Sequence, residues 1–128
     1  MQKFGFVFPG QGSQKLGMLS DLARDQAIIE RTFAEASEIL QMDLWEIAQH
    51  DSANNLDQTE ITQPVLLTSS IAIWRLWNQL QAVKPSILAG HSLGEYSALV
   101  CAEVISFADG LNLVHKRGQF MQSAVPPG

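Results

Sequence analysis

The chain has 128 residues, of which 46% are apolar and 16% are charged, and its net charge is −5 at pH 7. This composition is typical of a chain that folds around a hydrophobic core. The acidic balance, without a cluster of Lys and Arg, argues against nucleic-acid binding. The single cysteine, Cys101, excludes an intramolecular disulfide and a cysteine-based zinc site, and we expect no metal.

Hydropathy argues against a membrane protein. No apolar run reaches the roughly 18 residues that a spanning helix needs. The most apolar run, 65–74, is interrupted by Thr68, Ser69 and Ser70. The N-terminal apolar run, 4–8, is shorter than the apolar part of a signal peptide and stops at Pro9. We therefore expect a cytoplasmic protein that has no membrane partner and a reduced cysteine.

The predicted elements alternate between strand and helix along the chain. Residues 3–8 and 86–89 predict two short strands, and continuous apolar runs of this kind are typical of parallel strands that are buried on both faces. The predicted helices are, in chain order, 25–40, 44–48, 64–81, 93–103 and 106–124. This order indicates an α/β fold with parallel strands.

Three positions predict where helices begin. Asp25 is expected to be the N-cap of the first helix. Pro64 suits the first turn of the third helix, because a proline has no N–H that would be left without a partner there. That helix has almost no polar face, so we expect it to be largely buried. Ser106, followed by Asp109, resembles the capping box that starts a helix.

The domain organisation follows from the strand count. Two strands do not make a self-sufficient parallel sheet. Neither a repeat nor an internal linker interrupts the chain. We therefore expect residues 1–128 to be the N-terminal portion of one larger α/β domain.

Residues 90–94 read Gly-His-Ser-Leu-Gly, a G-x-S-x-G motif between a predicted strand and a predicted helix. In this setting a sharp turn exposes the serine, here Ser92, as a nucleophile in strained backbone geometry. The small Gly90 and Gly94 let the turn close, and the N–H of Leu93 can stabilise an oxyanion. The alternative is a glycine-rich turn in which Ser92 only caps the helix.

A nucleophilic serine needs a base, and the three histidines of the chain are poorly placed. His115 lies deep in the last predicted helix, and His50 lies in a polar loop. His91 adjoins Ser92, but at such a turn its side chain should point away. None has the helper carboxylate of a catalytic triad, so we expect the base to lie outside this chain.

A second glycine-rich loop, 10–14, follows the first predicted strand. It lacks the Lys-Ser/Thr pair of a phosphate-binding P-loop. The N–H of Gln11 could supply a second oxyanion donor beside Leu93, since α/β sites form at the carboxyl ends of strands. A plain turn is the alternative.

Two further side chains are candidate ligands. Arg117 has apolar neighbours three and four residues away on its helix, so it either snorkels to the surface or binds a carboxylate. Gln63 precedes Pro64, which should hold its backbone extended and could turn its amide toward the site. Cys101 is interpreted as a small buried apolar residue.

Four motifs together resemble one enzyme family over essentially the whole chain. They are Phe-Pro-Gly-Gln-Gly-Ser-Gln at 8–14, Thr-Gln-Pro at 62–64, Gly-His-Ser-Leu-Gly-Glu-Tyr-Ser-Ala-Leu at 90–99 and Arg-Gly at 117–118. The sequence resembles the malonyl-CoA:acyl carrier protein transacylases, the acyltransferase family of fatty acid and polyketide synthesis. The resemblance implies a parallel-sheet, α/β-hydrolase-like acyltransferase domain with a strand–elbow–helix unit around Ser92.

The resemblance also implies roles for individual residues. Ser92 would take the malonyl group from coenzyme A as an oxyester, and the N–H groups of Gln11 and Leu93 would form the oxyanion hole. Arg117 would pair with the free malonyl carboxylate, and Gln63 would line the site. The phosphopantetheine thiol of acyl carrier protein would then accept the malonyl group. Malonyl-CoA and acyl carrier protein are the implied partners, and no cofactor other than the coenzyme A thioester is implied.

The resemblance leaves parts of the family outside this chain. The catalytic histidine and the small ferredoxin-like subdomain of the family lie in sequence that the 128 residues do not contain. Two alternatives remain open. A serine hydrolase or thioesterase of α/β-hydrolase type would need Asp and His after Ser92. A non-catalytic fragment would fold only against its missing remainder.

Overall fold

The computed structural model describes residues 3–81 and 83–124. In chain order the elements are β1 (Gly5–Phe8), α1 (Ser20–Asp25), α2 (Ala27–Leu40), α3 (Leu44–Gln49), α4 (Thr59–Leu80), β2 (Ile87–Gly90), α5 (Leu93–Cys101) and α6 (Phe107–Ala124). The two strands pair in parallel, from Gly5 opposite Ile87 to Phe8 opposite Gly90. The predicted α/β class and the parallel pairing are confirmed.

One face of the two-stranded sheet packs on helices, and the other face is open. Side chains alternate between the faces of a strand, so Phe6 and Phe8 lie on the opposite side from Val7. The ring of Phe6 makes edge contacts with Trp74 and Trp77 of α4, with ring centroids 5.6 and 5.2 Å apart. On the other face, Val7 is 79% and Ile87 is 65% exposed. The expected burial of both strand faces is therefore wrong for the described residues.

Helix α4 is largely buried, as its apolar sequence predicted, and it lies at the centre of the fold. Every residue from Ile61 to Ala72 is buried, whereas the last turns open toward solvent at Ile73 and Leu80. Helices α2 and α6 pack against it with fully buried side chains, which are Ile29, Phe33 and Ala36 of α2 and Leu111 and Val114 of α6. Burial of such aliphatic and aromatic side chains, about 1.5–3 kcal/mol each, is the main stabilising term.

The expected N-cap at Asp25 is wrong. Asp25 is the last residue of α1, and α2 begins at Ala27 after a break at Gln26, whose backbone is extended (φ −128°, ψ 97°). Leu19 precedes α1 in the left-handed conformation (φ 64°). The turn 16–19 thus starts a separate short helix ahead of the apolar stripe of α2. A cap preference is weak enough for such tertiary packing to override it.

The expected start of the long helix at Pro64 is also wrong. Helix α4 begins at Thr59, and Pro64 is its sixth residue. The start is stabilised from α6, because the Thr59 N–H donates to Oε1 of Gln122 across 2.9 Å. Pro64 removes one intrahelical hydrogen bond, and burial of the following turns outweighs that loss.

The last two helices follow the sequence more closely. Ser106 caps α6 as predicted, since its Oγ accepts from the Asp109 N–H at 3.0 Å. Helix α5 ends at Cys101, two residues before the predicted end, and Glu103 takes a left-handed conformation (φ 63°). None of the helices that the structure describes is long and apolar enough to cross a membrane.

Candidate active site

Ser92 lies in a sharp turn between β2 and α5. Its backbone angles are φ 58° and ψ −116°, a combination that an L-residue adopts only under constraint. Strand β2 ends two residues before it, and α5 begins with Leu93 directly after it. The predicted strand–elbow–helix unit and the strained backbone at Ser92 are confirmed.

The two glycines of the motif permit this turn by allowing close backbone contacts. A Cβ atom on Gly90 would lie 2.1 Å from the carbonyl carbon and oxygen of Gly94. A Cβ atom on Gly94 would lie 2.2 Å from the carbonyl oxygen of Phe8. Both contacts are with backbone, which cannot rotate away as a side chain can. The first turn of α5 is therefore held against the carboxyl end of β1.

The loop after β1 lies beside this turn. A Cβ atom on Gly10 would come within 3.2 Å of the His91 carbonyl oxygen, so the two loops are in contact. The side chain of Gln11 is tied to α4, because its Nε2 donates to Oγ1 of Thr59 at 3.1 Å. The loop is also braced internally, since the Gly12 N–H donates to Oε1 of Gln14 at 2.8 Å. Oxyanion-hole roles for the N–H groups of Gln11 and Leu93 stay a prediction.

Arg117 reaches Ser92 from α6. One guanidinium nitrogen donates to the Ser92 Oγ at 2.9 Å, and the other donates to Oε1 of Gln63, also at 2.9 Å. The guanidinium carbon lies 5.6 Å from the centre of the Tyr96 ring, within the range of a cation–π contact. Of the two interpretations left open for Arg117, this geometry favours a ligand in the site over a snorkelling surface residue.

Gln63 is fully buried and is hydrogen-bonded to Arg117. Its Oε1 accepts from Arg117, and its Nε2 donates to the sulfur of Met121 at 3.2 Å. The predicted extended backbone is wrong, because Gln63 lies inside α4, which starts four residues earlier. Its amide does face the site, although a helical position rather than the following proline places it there.

No histidine of the described residues forms a hydrogen bond with Ser92. His91 and His50 are exposed, and His115 is half-buried on α6. The structure thus brings together Ser92, Arg117 and Gln63 without a histidine base at the serine. Cys101 is buried as predicted, and burial raises the pKa of its thiol to about 12, which makes it a poor nucleophile.

Two residues of this cluster were not singled out from the sequence. Tyr96 lies one helical turn after Ser92, and Met121 lies one turn after Arg117. The signal that could have found them is helical periodicity, because residues four apart share a face. Within the described ranges, no group of three or more His, Cys, Asp or Glu residues could hold a metal ion.

Comparison with known families identifies the class. Residues 5–128 match the family model of the acyl transferase domain. The chain therefore belongs to the acyl transferase domain family, and the resemblance drawn from its four motifs is confirmed.

Individual relatives within this family are more specific than the family model. The chain is 58% identical over its full length to the malonyl CoA-acyl carrier protein transacylase of Salmonella typhimurium, of which it covers 41%. It matches the crystal structure of an acyl carrier protein S-malonyltransferase from Vibrio cholerae with a TM-score of 0.94 and 59% identity. That match covers 99% of this chain and 42% of the Vibrio chain. The predicted acyltransferase fold is confirmed.

A third relative is a complex with a carrier protein. It is a malonyl-transacylase bound to a type II PKS acyl-carrier protein, matched with a TM-score of 0.95 and 55% identity. The match covers 99% of this chain and 41% of that chain. The chain thus spans about 41% of the length of these relatives.

Proposed function

We propose that this chain carries the nucleophile and the acyl-selecting residues of a malonyl-CoA:acyl carrier protein transacylase. The observation that carries the proposal is the 2.9 Å hydrogen bond between the Arg117 guanidinium and the Ser92 Oγ. A malonyl ester of Ser92 has its free carboxylate one methylene away from the ester carbonyl. That carboxylate stays within reach of a guanidinium that already contacts Oγ, and Arg–carboxylate pairs are strong, two-point interactions.

The first half-reaction forms the acyl-serine. The Ser92 Oγ attacks the thioester carbon of malonyl-CoA while its proton passes to a base, which we place in the remainder of the domain because no histidine of the described residues forms a hydrogen bond with Ser92. The oxyanion of the tetrahedral intermediate would be stabilised by the N–H groups of Leu93 and Gln11. Leu93 begins α5, so its N–H is among the four that a helix start leaves without an intrahelical partner. The C–S bond then breaks and coenzyme A leaves with a proton.

The second half-reaction consumes the acyl-serine. The phosphopantetheine thiol of acyl carrier protein attacks the ester carbon, and Ser92 leaves and recovers its proton. Arg117 holds the malonyl carboxylate through both steps, and Gln63 fixes Arg117 through its buried amide. No cofactor beyond the coenzyme A thioester takes part in this scheme.

Domain organisation and cellular location are also part of the proposal. We propose that residues 1–128 act as the N-terminal portion of one acyltransferase domain, with the catalytic histidine and the ferredoxin-like subdomain elsewhere in that domain. The exposed apolar sheet face at Val7 and Ile87 supports this, because such a face needs a further layer of structure. We also propose the cytoplasm as the place of action, to which a lone, buried thiol is suited.

Two other functions compete with the proposal. A serine hydrolase would pass the acyl group to water instead of a thiol, and a structural fragment would form no acyl-serine. The identity to transacylases over the whole chain does not favour either one. Arg117 beside Ser92 favours a substrate with a free carboxylate in any case.

The test is a chimera in which residues 1–128 are joined to the remaining, unmatched part of the Salmonella transacylase. It is incubated with malonyl-CoA, with and without carrier protein, and acyl transfer and free malonate are measured. We expect rapid malonyl-carrier protein formation and slow hydrolysis. Release of free malonate without carrier protein, at the rate at which malonyl transfer occurs with it, would indicate a hydrolase. A chimera that folds and forms no adduct would contradict the proposed function.

A further inference from the structure

The close approach of α6 to α4 lies one residue from Arg117. A Cβ atom on Gly118 would lie 2.5 Å from the Cα of Glu60, 2.9 Å from the carbonyl oxygen of Thr59 and 3.0 Å from the Glu60 N. All three contacts are with backbone atoms of the first turn of α4. The two helices are therefore closer here than any side chain at position 118 would permit.

Hydrogen bonds to the neighbouring loops hold the first turn of α4 in place. The Thr59 hydroxyl accepts from Gln11 at 3.1 Å, a bond that does not involve α6, whereas the Thr59 N–H donates to Oε1 of Gln122 at 2.9 Å and so couples the two helices. The hydroxyl of Thr62 donates to the carbonyl oxygens of Leu56 and Gln58, which ties the turn to the preceding loop. A group inserted at position 118 would consequently displace α6 rather than α4.

A displacement of α6 acts directly on Arg117. Carbon atoms pack about 3.5 Å or more apart, so the 2.5 Å separation is roughly 1 Å too short for a methyl group at position 118. Arg117 makes its two 2.9 Å bonds to Ser92 and Gln63 from the adjacent position on the same helix. An outward shift of this size would lengthen both hydrogen bonds beyond their normal range, because donor–acceptor distances vary by only a few tenths of an ångström.

We propose that the α4–α6 junction, formed by Thr59, Glu60, Gly118 and Gln122, sets the reach of Arg117 and thereby the preference for a carboxylated acyl group. This inference rests on the proposed function and deepens it. Gly118 and Gln122 are positioning residues, since they act on the substrate through Arg117. Thr59 in this junction also connects the Gln11 loop to α6. The first turn of α4 therefore contacts both the Gln11 loop and the helix that carries Arg117.

The test compares malonyl and acetyl transfer in the chimera carrying Gly118→Ala. We expect kcat/KM for malonyl transfer to fall on the order of ten- to hundredfold, as misplacement of about 1 Å can cause. Acetyl transfer should change less than about twofold, because an acetyl group has no carboxylate for Arg117 to hold. Adding Gly118→Ala to an Arg117→Ala chimera should have no further effect on malonyl transfer, since coupled residues are not additive.

The matched control is Gly110→Ala on the same helix. Its Cβ atom would meet side-chain methyl groups, with Cγ2 of Val100 the nearest at 2.8 Å. Both substitutions raise helix propensity equally, so a difference between them reports the backbone contact. We expect Gly110→Ala to leave the malonyl-to-acetyl ratio unchanged.

A second variant covers the case in which Gly118→Ala fails to fold. Gln122→Ala removes the side-chain amide that caps the Thr59 N–H. Gln122 itself lies at an exposed position. It should lower the malonyl-to-acetyl ratio in the same direction by a smaller factor.

The outcomes separate the two proposals. Equal losses of malonyl and acetyl transfer in Gly118→Ala, or an unchanged ratio in both variants, would overturn the role of the junction while leaving the transacylase intact. An unmodified chimera without malonyl transfer would instead contradict the proposed function.

Discussion

Arg117 of α6 donates a 2.9 Å hydrogen bond to the hydroxyl oxygen of Ser92, which lies 25 positions earlier in the turn before α5. At this distance the guanidinium N–H occupies a lone pair of the Ser92 oxygen. A substrate carboxylate offers the guanidinium a stronger, two-point partner.

The first prediction concerns the nucleophile. In the chimera, malonyl-CoA should add one malonyl group to the residue in the elbow, and Ser92→Ala should abolish this adduct. The reason is that no other hydroxyl of the described residues combines strained backbone with a helix start and the Arg117 contact. Intact-mass measurement followed by peptide mapping checks it. Equal labelling of the Ser92→Ala variant would remove Ser92 from the mechanism.

The second prediction concerns acyl selection. Arg117→Ala should raise the activation free energy of malonyl transfer by about 2–5 kcal/mol, because the substrate carboxylate loses its partner. Acetyl transfer should be unaffected or faster. Arg117→Lys should rescue poorly, since an ammonium group cannot reproduce the planar fork that contacts Ser92 and Gln63 together. Equal slowing of both acyl groups would indicate a purely structural arginine.

The third prediction concerns the elbow. Gly94→Ala should destabilise the chimera by more than about 3 kcal/mol, because the new methyl group would overlap the Phe8 carbonyl oxygen at 2.2 Å. Urea unfolding, compared with Gly110→Ala as the control, measures this. If both variants unfolded at the same urea concentration, the close contact of α5 with β1 would not be needed for the fold.

The fourth prediction concerns alkaline pH. Burial raises the pKa of Cys101 from 9.0 to about 12. Between these values the unfolded chain loses the thiol proton and the folded chain keeps it, so stability falls as pH rises above 9. The slope from this group is at most about 1.4 kcal/mol per pH unit. Cys101→Ala should remove this component from the pH dependence of urea unfolding, and an identical alkaline slope in that variant would exclude Cys101 as its source.

The fifth prediction concerns residues 1–128 expressed alone. The open sheet face at Val7 and Ile87 should cause association, because exposed apolar strand surface drives aggregation. Replacing both residues by Thr should lower the association without disturbing the buried face. Size-exclusion chromatography and a malonyl-transfer assay check this. We expect negligible transfer, since no histidine side chain of the described residues forms a hydrogen bond with Ser92. A monomer with full activity would contradict the prediction and make His115 a candidate base.

Local chemistry explains why the sequence was sufficient for the elbow. Glycines at 90 and 94 around a serine, between an apolar run and a helical pattern, leave one tight turn available, and the structure has it at Ser92. The cap at Ser106 is likewise a short-range signal, and neither it nor the elbow needs a partner from far along the chain. The parallel pairing of the two apolar strands joins distant segments, and the order of the predicted elements indicated it.

The errors of sequence reasoning arise where distant segments meet. Helix α4 begins at Thr59 rather than Pro64 because Gln122, 63 residues later, caps it. Gln63 points at Arg117 from inside a helix for the same reason, and the sheet has one open face because the described helices cover only the other. Cap and turn preferences amount to about 1 kcal/mol, whereas burial of the α4 side chains amounts to many times that. The sequence by itself therefore determined the turn at Ser92, whereas packing of α4 against α6 determined which residues face that turn.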